Sequence, residues 1–110
     1  MATYTPKRLF QVQAGTSETT QYTVPASTST ILKEIVIANT TGSAATIAVS
    51  LVASGGTAGA SNRVIPTVSI AANTLVSLTF NQVLATGGFI STIAGTATAL
   101  TLTASGVEIT

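Results

Sequence analysis

The sequence predicts an all-β protein, a single antiparallel β-sandwich of about eight strands, and two observations carry this prediction. In the stretches 45–51, 75–80 and 99–104, residues of high β-propensity alternate with small, mostly hydroxyl-bearing residues. Turn signals separate such stretches at intervals of roughly ten residues, which is typical of a sandwich or a barrel. Each stretch is therefore predicted to bury one face and to expose the other.

Further strands are predicted between these three, with less regular alternation. They cover 9–13, 20–24, 64–70 and 89–94, and 107–109 extends the last strand beyond a bulge at Gly106. The stretch 31–38 is apolar at odd and even positions alike, so we expect it to be covered on both faces, the second cover being a loop or a neighbouring subunit. The jelly-roll and immunoglobulin-like arrangements are both compatible with these strands.

The length of 110 residues predicts one domain with one core. We assign residues 8–110 to the β-sandwich and residues 1–7 to a short extended N-terminal arm. The arm shows no alternation, and Pro6 disfavours a helix at the preceding residue. Such an arm is expected to become ordered against a neighbouring subunit.

Charged residues make up 6% of the chain and the net charge is +1, against about 25% charged residues in ordinary soluble domains. Two explanations apply: serine and threonine hydroxyls cover the exposed faces, or part of the surface is buried in an assembly. Four basic residues are too few for a stripe that neutralises several phosphates, so no nucleic-acid partner is predicted. No apolar run reaches the roughly 18 residues of a membrane span, and no secretion signal is recognised.

Histidine, cysteine and aspartate are all missing from the sequence. The commonest general base and most zinc ligands are therefore absent, and no disulfide framework is possible. Glu18, Glu34 and Glu108 lie far apart in the sequence, and no serine-hydrolase elbow or phosphate-binding loop is found. The sequence predicts a non-enzymatic protein without catalytic residues, cofactor or metal.

Seven residues are candidates for contacts with protein partners. Amphipathic tyrosines favour interfaces, a basic pair near the N-terminus suits an acidic partner, and the glycine-rich loop 54–62 is either a contact loop or a mobile tip. The candidates are Tyr4, Lys7, Arg8, Tyr22, Gly55, Gly56 and Arg63. For Tyr22, a position at the edge of the core with its hydroxyl in water is an equally good interpretation.

Six stretches carry a resemblance to a known group of proteins. They are 22–26 (YTVPA), 35–42 (IVIANTTG), 49–59 (VSLVASGGTAG), 62–63 (NR), 70–74 (IAANT) and 105–108 (SGVE). They resemble small proteins encoded among the structural genes of tailed bacteriophages. The resemblance implies a virion-associated β-sandwich that serves as a head decoration, a head-fibre base or a tail component. Where that group often has a Gly-Asp pair, this chain has Gly87-Gly88, which argues against a calcium site in this loop.

The function expected first is a capsid decoration, or cementing, protein that binds the shell of major capsid protein. It would be made in the host cytoplasm, reside in the virion and self-associate, with a homotrimer preferred because threefold sites of a shell match cyclic symmetry. The alternative is a tail, collar, baseplate or fibre component. A receptor- or carbohydrate-binding module is a weaker third, because the chain has no tryptophan and only two tyrosines.

The alternation also makes a prediction about stability. A charge placed at Ile47, Val49, Leu78 or Leu102 is expected to prevent folding, because an unpaired buried charge is very costly.

Overall fold

The computed structural model describes residues 2–110, which form eight β-strands and one turn of 3-10 helix at Ala60–Asn62. The strands are β1 (Tyr4–Gln13), β2 (Thr19–Thr23), β3 (Ser29–Asn39), β4 (Ala45–Val52), β5 (Arg63–Ile70), β6 (Leu75–Leu84), β7 (Phe89–Ala94) and β8 (Leu100–Ile109). The prediction of an all-β sandwich of about eight strands is confirmed.

Two four-stranded antiparallel sheets form the sandwich. Sheet I has the strand order β1-β8-β3-β6, and sheet II has the order β2-β7-β4-β5. The chain crosses from one sheet to the other at every connection except the one between β4 and β5. This is the strand order of a jelly roll, so the immunoglobulin-like alternative is excluded.

The core lies between the inner faces of the two sheets. Its largest fully buried apolar side chains are Leu32, Ile35, Ile37, Ile47, Val49, Ile90, Leu100 and Leu102. Most of them come from the central strands β3, β8, β4 and β7, which have a hydrogen-bonded neighbour on each side. The alternation in the sequence therefore reports the inner faces of these strands.

The occurrence of apolar residues at both odd and even positions of β3 has a local cause. The pairing of β3 with β8 shifts register between Leu32 and Glu34, so the extra residue Lys33 reverses which positions face the core. Leu32 is buried before the shift and Ile35 after it, whereas the outward-facing Val36 is only half-buried. Within residues 2–110 no loop of the chain buries the outer face of this strand fully, and cover by a neighbouring subunit stays a prediction.

The predicted bulge near the end of the chain lies in the neighbouring strands. Gly106 stays paired with Lys7 on one side and with Leu32 on the other, while β1 and β3 each contribute one extra residue beside it. A Cβ atom on Gly106 would overlap the carbonyl oxygen of Ile31 and lie 3.2 Å from a methyl group of Leu9. Glycine is required here because three strands approach closely where the register shifts.

The N-terminal residues differ from the predicted arm. Residues 4–7 form the first half of β1 and pair with β8, with Tyr4 opposite Ile109 and Lys7 opposite Gly106. All four are exposed, so no burial pattern marks them as a strand in the sequence. Backbone pairing alone defines this half of β1, and the remainder of the predicted arm includes Met1, which lies outside the described residues.

Candidate functional site

A cluster of polar side chains, here called the Tyr22 cluster, joins the two sheets on the side formed by β1 and β2. The Tyr22 hydroxyl, from sheet II, donates a hydrogen bond to Glu108 Oε2 (2.5 Å) and lies 2.8 Å from the Thr30 hydroxyl, both in sheet I. Lys7 Nζ lies 3.4 Å from Glu108 Oε1. The Tyr22 cluster therefore ties three strands of sheet I to the edge strand of sheet II.

The environment of Tyr22 favours its protonated form. Burial of the phenol, and its hydrogen bond to the Glu108 carboxylate, raise the pKa of Tyr22 to about 12. Tyr22 is therefore neutral at physiological pH and acts as a hydrogen-bond donor. The arrangement holds the sheets together and contains no activated nucleophile.

A second polar cluster covers the outer face of sheet II. Arg63 pairs with Glu18 (2.5 Å) and donates a hydrogen bond to the buried Ser50 hydroxyl (2.8 Å). Glu18 also accepts a hydrogen bond from the buried Ser91 (2.6 Å). These bonds satisfy hydroxyl groups that would otherwise be buried without partners.

The glycine-rich loop that precedes Arg63 is held by hydrogen bonds. A tight turn closes from Gly56 N to Ala53 O (2.9 Å), and its third residue, Gly55, has φ of +81°. The Asn62 side chain then donates to Thr57 O (2.9 Å) and accepts from Gly59 N (3.0 Å). The turn from Ala53 to Gly56 therefore needs glycine at position 55, where φ is positive.

The structure brings only two of the seven predicted contact residues together. Lys7 and Tyr22 meet at Glu108, whereas Arg63 is engaged with Glu18. The rest lie apart: Tyr4 (66% exposed) and Arg8 on β1, and Gly55 and Gly56 in the loop turn.

The carboxylates are also separate from one another. Glu18 contacts Arg63, Glu108 contacts Lys7, and Glu34 accepts a hydrogen bond from Ser77 (2.9 Å). Within residues 2–110, no three potential metal ligands come together, and no helix is long and apolar enough to cross a membrane.

An apolar groove of about 430 Å³ lies between the edge strands β5 and β6 and is here called the β5–β6 groove. Its half-buried apolar side chains are Val64, Val68, Val76, Leu78 and Phe80. Alternation in the sequence predicts that these β6 residues are buried in the core. In the structure they are only half-buried, because the edge strands β5 and β6 face each other here and nothing among residues 2–110 covers the space between them fully. The signal that could have located the groove is the absence of charge and proline from all ten residues of β6.

The outer face of β6 adds two exposed apolar side chains. Leu75 is 64% exposed and Val83 is 68% exposed, and they lie near opposite ends of the strand. Along with Tyr4, they are the exposed large hydrophobic side chains of residues 2–110. Apolar surface is therefore concentrated along one edge of the sandwich.

No protein-family model and no curated protein sequence matches the chain. Among solved structures, a chain of the infectious bursal disease virus T13 particle is similar, with a TM-score of 0.62 and 11% identity over 98% of this chain. A chain of the Gx strain of the same virus gives a TM-score of 0.56 and 16% identity over 99% of this chain. A chain from Bacillus endospore appendages gives a TM-score of 0.49 and 17% identity, covering 99% of this chain and 88% of that one.

The present chain spans about a third of the length of the two viral chains, 30% and 32%. At these identities the similarity shows the jelly-roll fold, and it is not specific to tailed phages.

Proposed function

We propose that this protein is a non-enzymatic structural subunit of a virus particle. The observation that carries the proposal is its strand order, a complete jelly roll that aligns over 98% of its length with part of a viral particle chain. Fold alone does not decide function, so the polar groups of the molecule have to agree with it.

The polar groups support a structural role. Each glutamate is engaged in an ion pair or a hydrogen bond that links strands. The one strongly shifted group, Tyr22, is held in its neutral form as a donor between the sheets. Such an arrangement stabilises a sandwich and leaves no acid–base pair free for catalysis.

Within this class, a capsid decoration protein bound to the major capsid protein of a tailed phage is our first candidate. It is supported by the resemblance to phage structural proteins, by the small size and by the scarcity of charge. We propose the exposed Tyr4 and Arg8 of β1 and the turn at Gly55 and Gly56 as contacts to that shell. A homotrimer at the threefold sites of the shell is the corresponding assembly.

The copy number of this chain in purified virions tests the proposal. Quantitative mass spectrometry against the major capsid protein measures it. Hundreds of copies support decoration of the shell, and a small number matching tail symmetry replaces it with a tail, collar, baseplate or fibre component. Absence of the chain from the virion contradicts both.

The salt dependence of binding to the shell tests the proposed mode of contact. With a net charge of +1, the chain is expected to bind through apolar area and hydrogen bonds, so affinity changes little between low and high salt. Binding of the purified protein to shells that lack it, measured over a salt series, checks this expectation. A steep loss of affinity with added salt contradicts it.

A further inference from the structure

Among residues 2–110, strand β6 is the one long edge of this sandwich that carries neither charge nor proline. Of the four edge strands among residues 2–110, β1 carries Pro6, Lys7 and Arg8, and β5 carries Arg63 and Pro66. The third, β2, has five residues and a register shift. By contrast, β6 has ten residues, no charge and no proline. Natural proteins use charge, proline, bulges and short length to prevent edge-to-edge association, and of these β6 has only the register shift against β3 between Thr79 and Gln82.

The residue order of β6 is self-complementary. If two copies of β6 pair antiparallel about a twofold axis at Thr79, Leu75 of each copy lies opposite Val83 of the other. Leu78 then lies opposite Phe80, and Thr79 opposite Thr79. The exposed apolar residues of the outer face meet each other in this register, as do Leu78 and Phe80 of the β5–β6 groove, while Val76 lies opposite Gln82.

Charges on the neighbouring strand β3 match the same register. Glu34 accepts a hydrogen bond from Ser77 (2.9 Å), and Lys33 donates one to Asn81 (2.9 Å), so each charge is directed toward β6. In the paired arrangement Ser77 of one copy lies opposite Asn81 of the other. The polar side chains that cross the contact therefore form a row, with a carboxylate from one copy at one end and an ammonium group from the other copy at the other end. The twofold axis generates a second, identical row.

We propose that the β6 edge is a docking site for a second copy of this chain, which pairs antiparallel with β6 about Thr79 and closes the β5–β6 groove. The contact is isologous, so by itself it produces a dimer with a continuous eight-stranded sheet I. In a particle built from trimers, the same contact would join one trimer to the next.

The size of the contact sets its strength. Ten paired residues span about 34 Å, and packed sheets lie about 10 Å apart, which gives on the order of 350 Å² per copy. A standard stable interface buries about 800 Å² per partner. The free chain is therefore expected to dimerise weakly, with a concentration-dependent mass that rises from 11.0 kDa toward twice that value.

Cysteine cross-linking tests the register, because the natural chain contains no cysteine. In Thr79→Cys, two cysteines across the twofold axis have Cα atoms about 4.5–5.5 Å apart, within the range of a disulfide. We expect rapid disulfide dimer formation by T79C and none by S77C alone, whose cysteines lie about 14 Å apart. A mixture of S77C with N81C is expected to cross-link. Equal cross-linking of T79C and S77C, or none by T79C, overturns the proposal.

Charge variants test the contact without cross-linking. Thr79 is exposed, so Thr79→Lys leaves the core unchanged and places two like charges on the axis. In sedimentation velocity over a concentration series we expect T79K to remain monomeric, and a mixture of T79K with T79E to associate again. Thr5→Lys on β1, the opposite edge of sheet I, is the matched control and is expected to dimerise like the wild type. Wild-type association by T79K, or a wild-type chain that stays monomeric at millimolar concentration, contradicts the proposal.

Discussion

The two long sides of this sandwich are built from the same kind of alternating strands, yet one is closed and the other is open. On the β1–β2 side, Leu9 and Phe10 are both buried and the Tyr22 cluster joins the sheets. On the β5–β6 side, no polar cluster among residues 2–110 bridges the edge strands, and the inward-facing residues of β6, such as Leu78, are only half-buried.

The difference comes from one extra residue and a few polar groups. The register shift between Arg8 and Phe10 lets two consecutive residues of β1 face the core, which fills the closed side. Strand β6 alternates from Leu75 to Phe80, but its register shift against β3 is followed by three exposed residues and adds no side chain to the core. Alternation thus shows which face of a strand is inside, while bulges and cross-sheet hydrogen bonds decide whether a side of the sandwich is complete.

The largest expected effect is that of a charge in the core. The same substitution at a fully buried position and at a position on the open side should have different results. Leu102→Lys is expected to prevent folding, because Leu102 is fully buried and an unpaired ammonium group there is very costly. Leu78→Lys, which alternation alone predicts to prevent folding, is instead expected to fold with reduced stability, since the half-buried side chain can extend from the groove into solvent. Circular dichroism and thermal denaturation of both variants check this, and an unfolded L78K would show that the groove is part of the core.

Gly106→Ala probes the position in β8 beside which β1 and β3 shift register. The added methyl group has to displace the backbone of β3 at Ile31, so we expect a loss of about 2–3 kcal/mol in the free energy of unfolding. Gly42→Ala is the matched control, because nothing lies within 4 Å of a Cβ atom at that position. Urea denaturation measures both, and equal stabilities would contradict the close approach of the strands.

Tyr22→Phe probes the cluster that closes the β1–β2 side. It removes the hydroxyl that donates to Glu108, leaving that carboxylate with Lys7, and is expected to cost about 1–2 kcal/mol of stability. Tyr4→Phe is the control, since Tyr4 is exposed and no effect is expected. If the two variants denature alike, the cluster does not hold the sheets together.

The pH dependence of the same variant is the smallest effect. Because the pKa of Tyr22 is raised from 10.0 to about 12, the fold favours the protonated phenol. This contribution to stability is complete below pH 10 and is lost as the pH rises from 10 to 12. The stability difference between wild type and Y22F is therefore expected to shrink over that window in urea denaturation, and a constant difference would contradict the assignment.

Much of the fold was predictable from the sequence, because stretches such as 45–51 and 99–104 alternate with a regular period of two, although Ala48 and Ser50 show that the second face of β4 is buried as well. The first half of β1 was not, because its side chains are exposed on both faces and only backbone pairing defines it. The partners of Tyr22 were not predictable either, since they depend on how the two sheets face each other. The open side was detectable only in the uncharged residues of β6.

The most direct test of the central claim, that the closed side is structural and the open side is the contact between copies, is amide hydrogen exchange at low and high protein concentration. Residue-resolved NMR follows the edge amides of β1 and β6 in the same samples. We predict that β6 amides centred on Thr79 exchange more slowly as concentration rises, while those of β1 are unchanged. Protection that grows in β1, or exchange from β6 that is independent of concentration, would contradict the account.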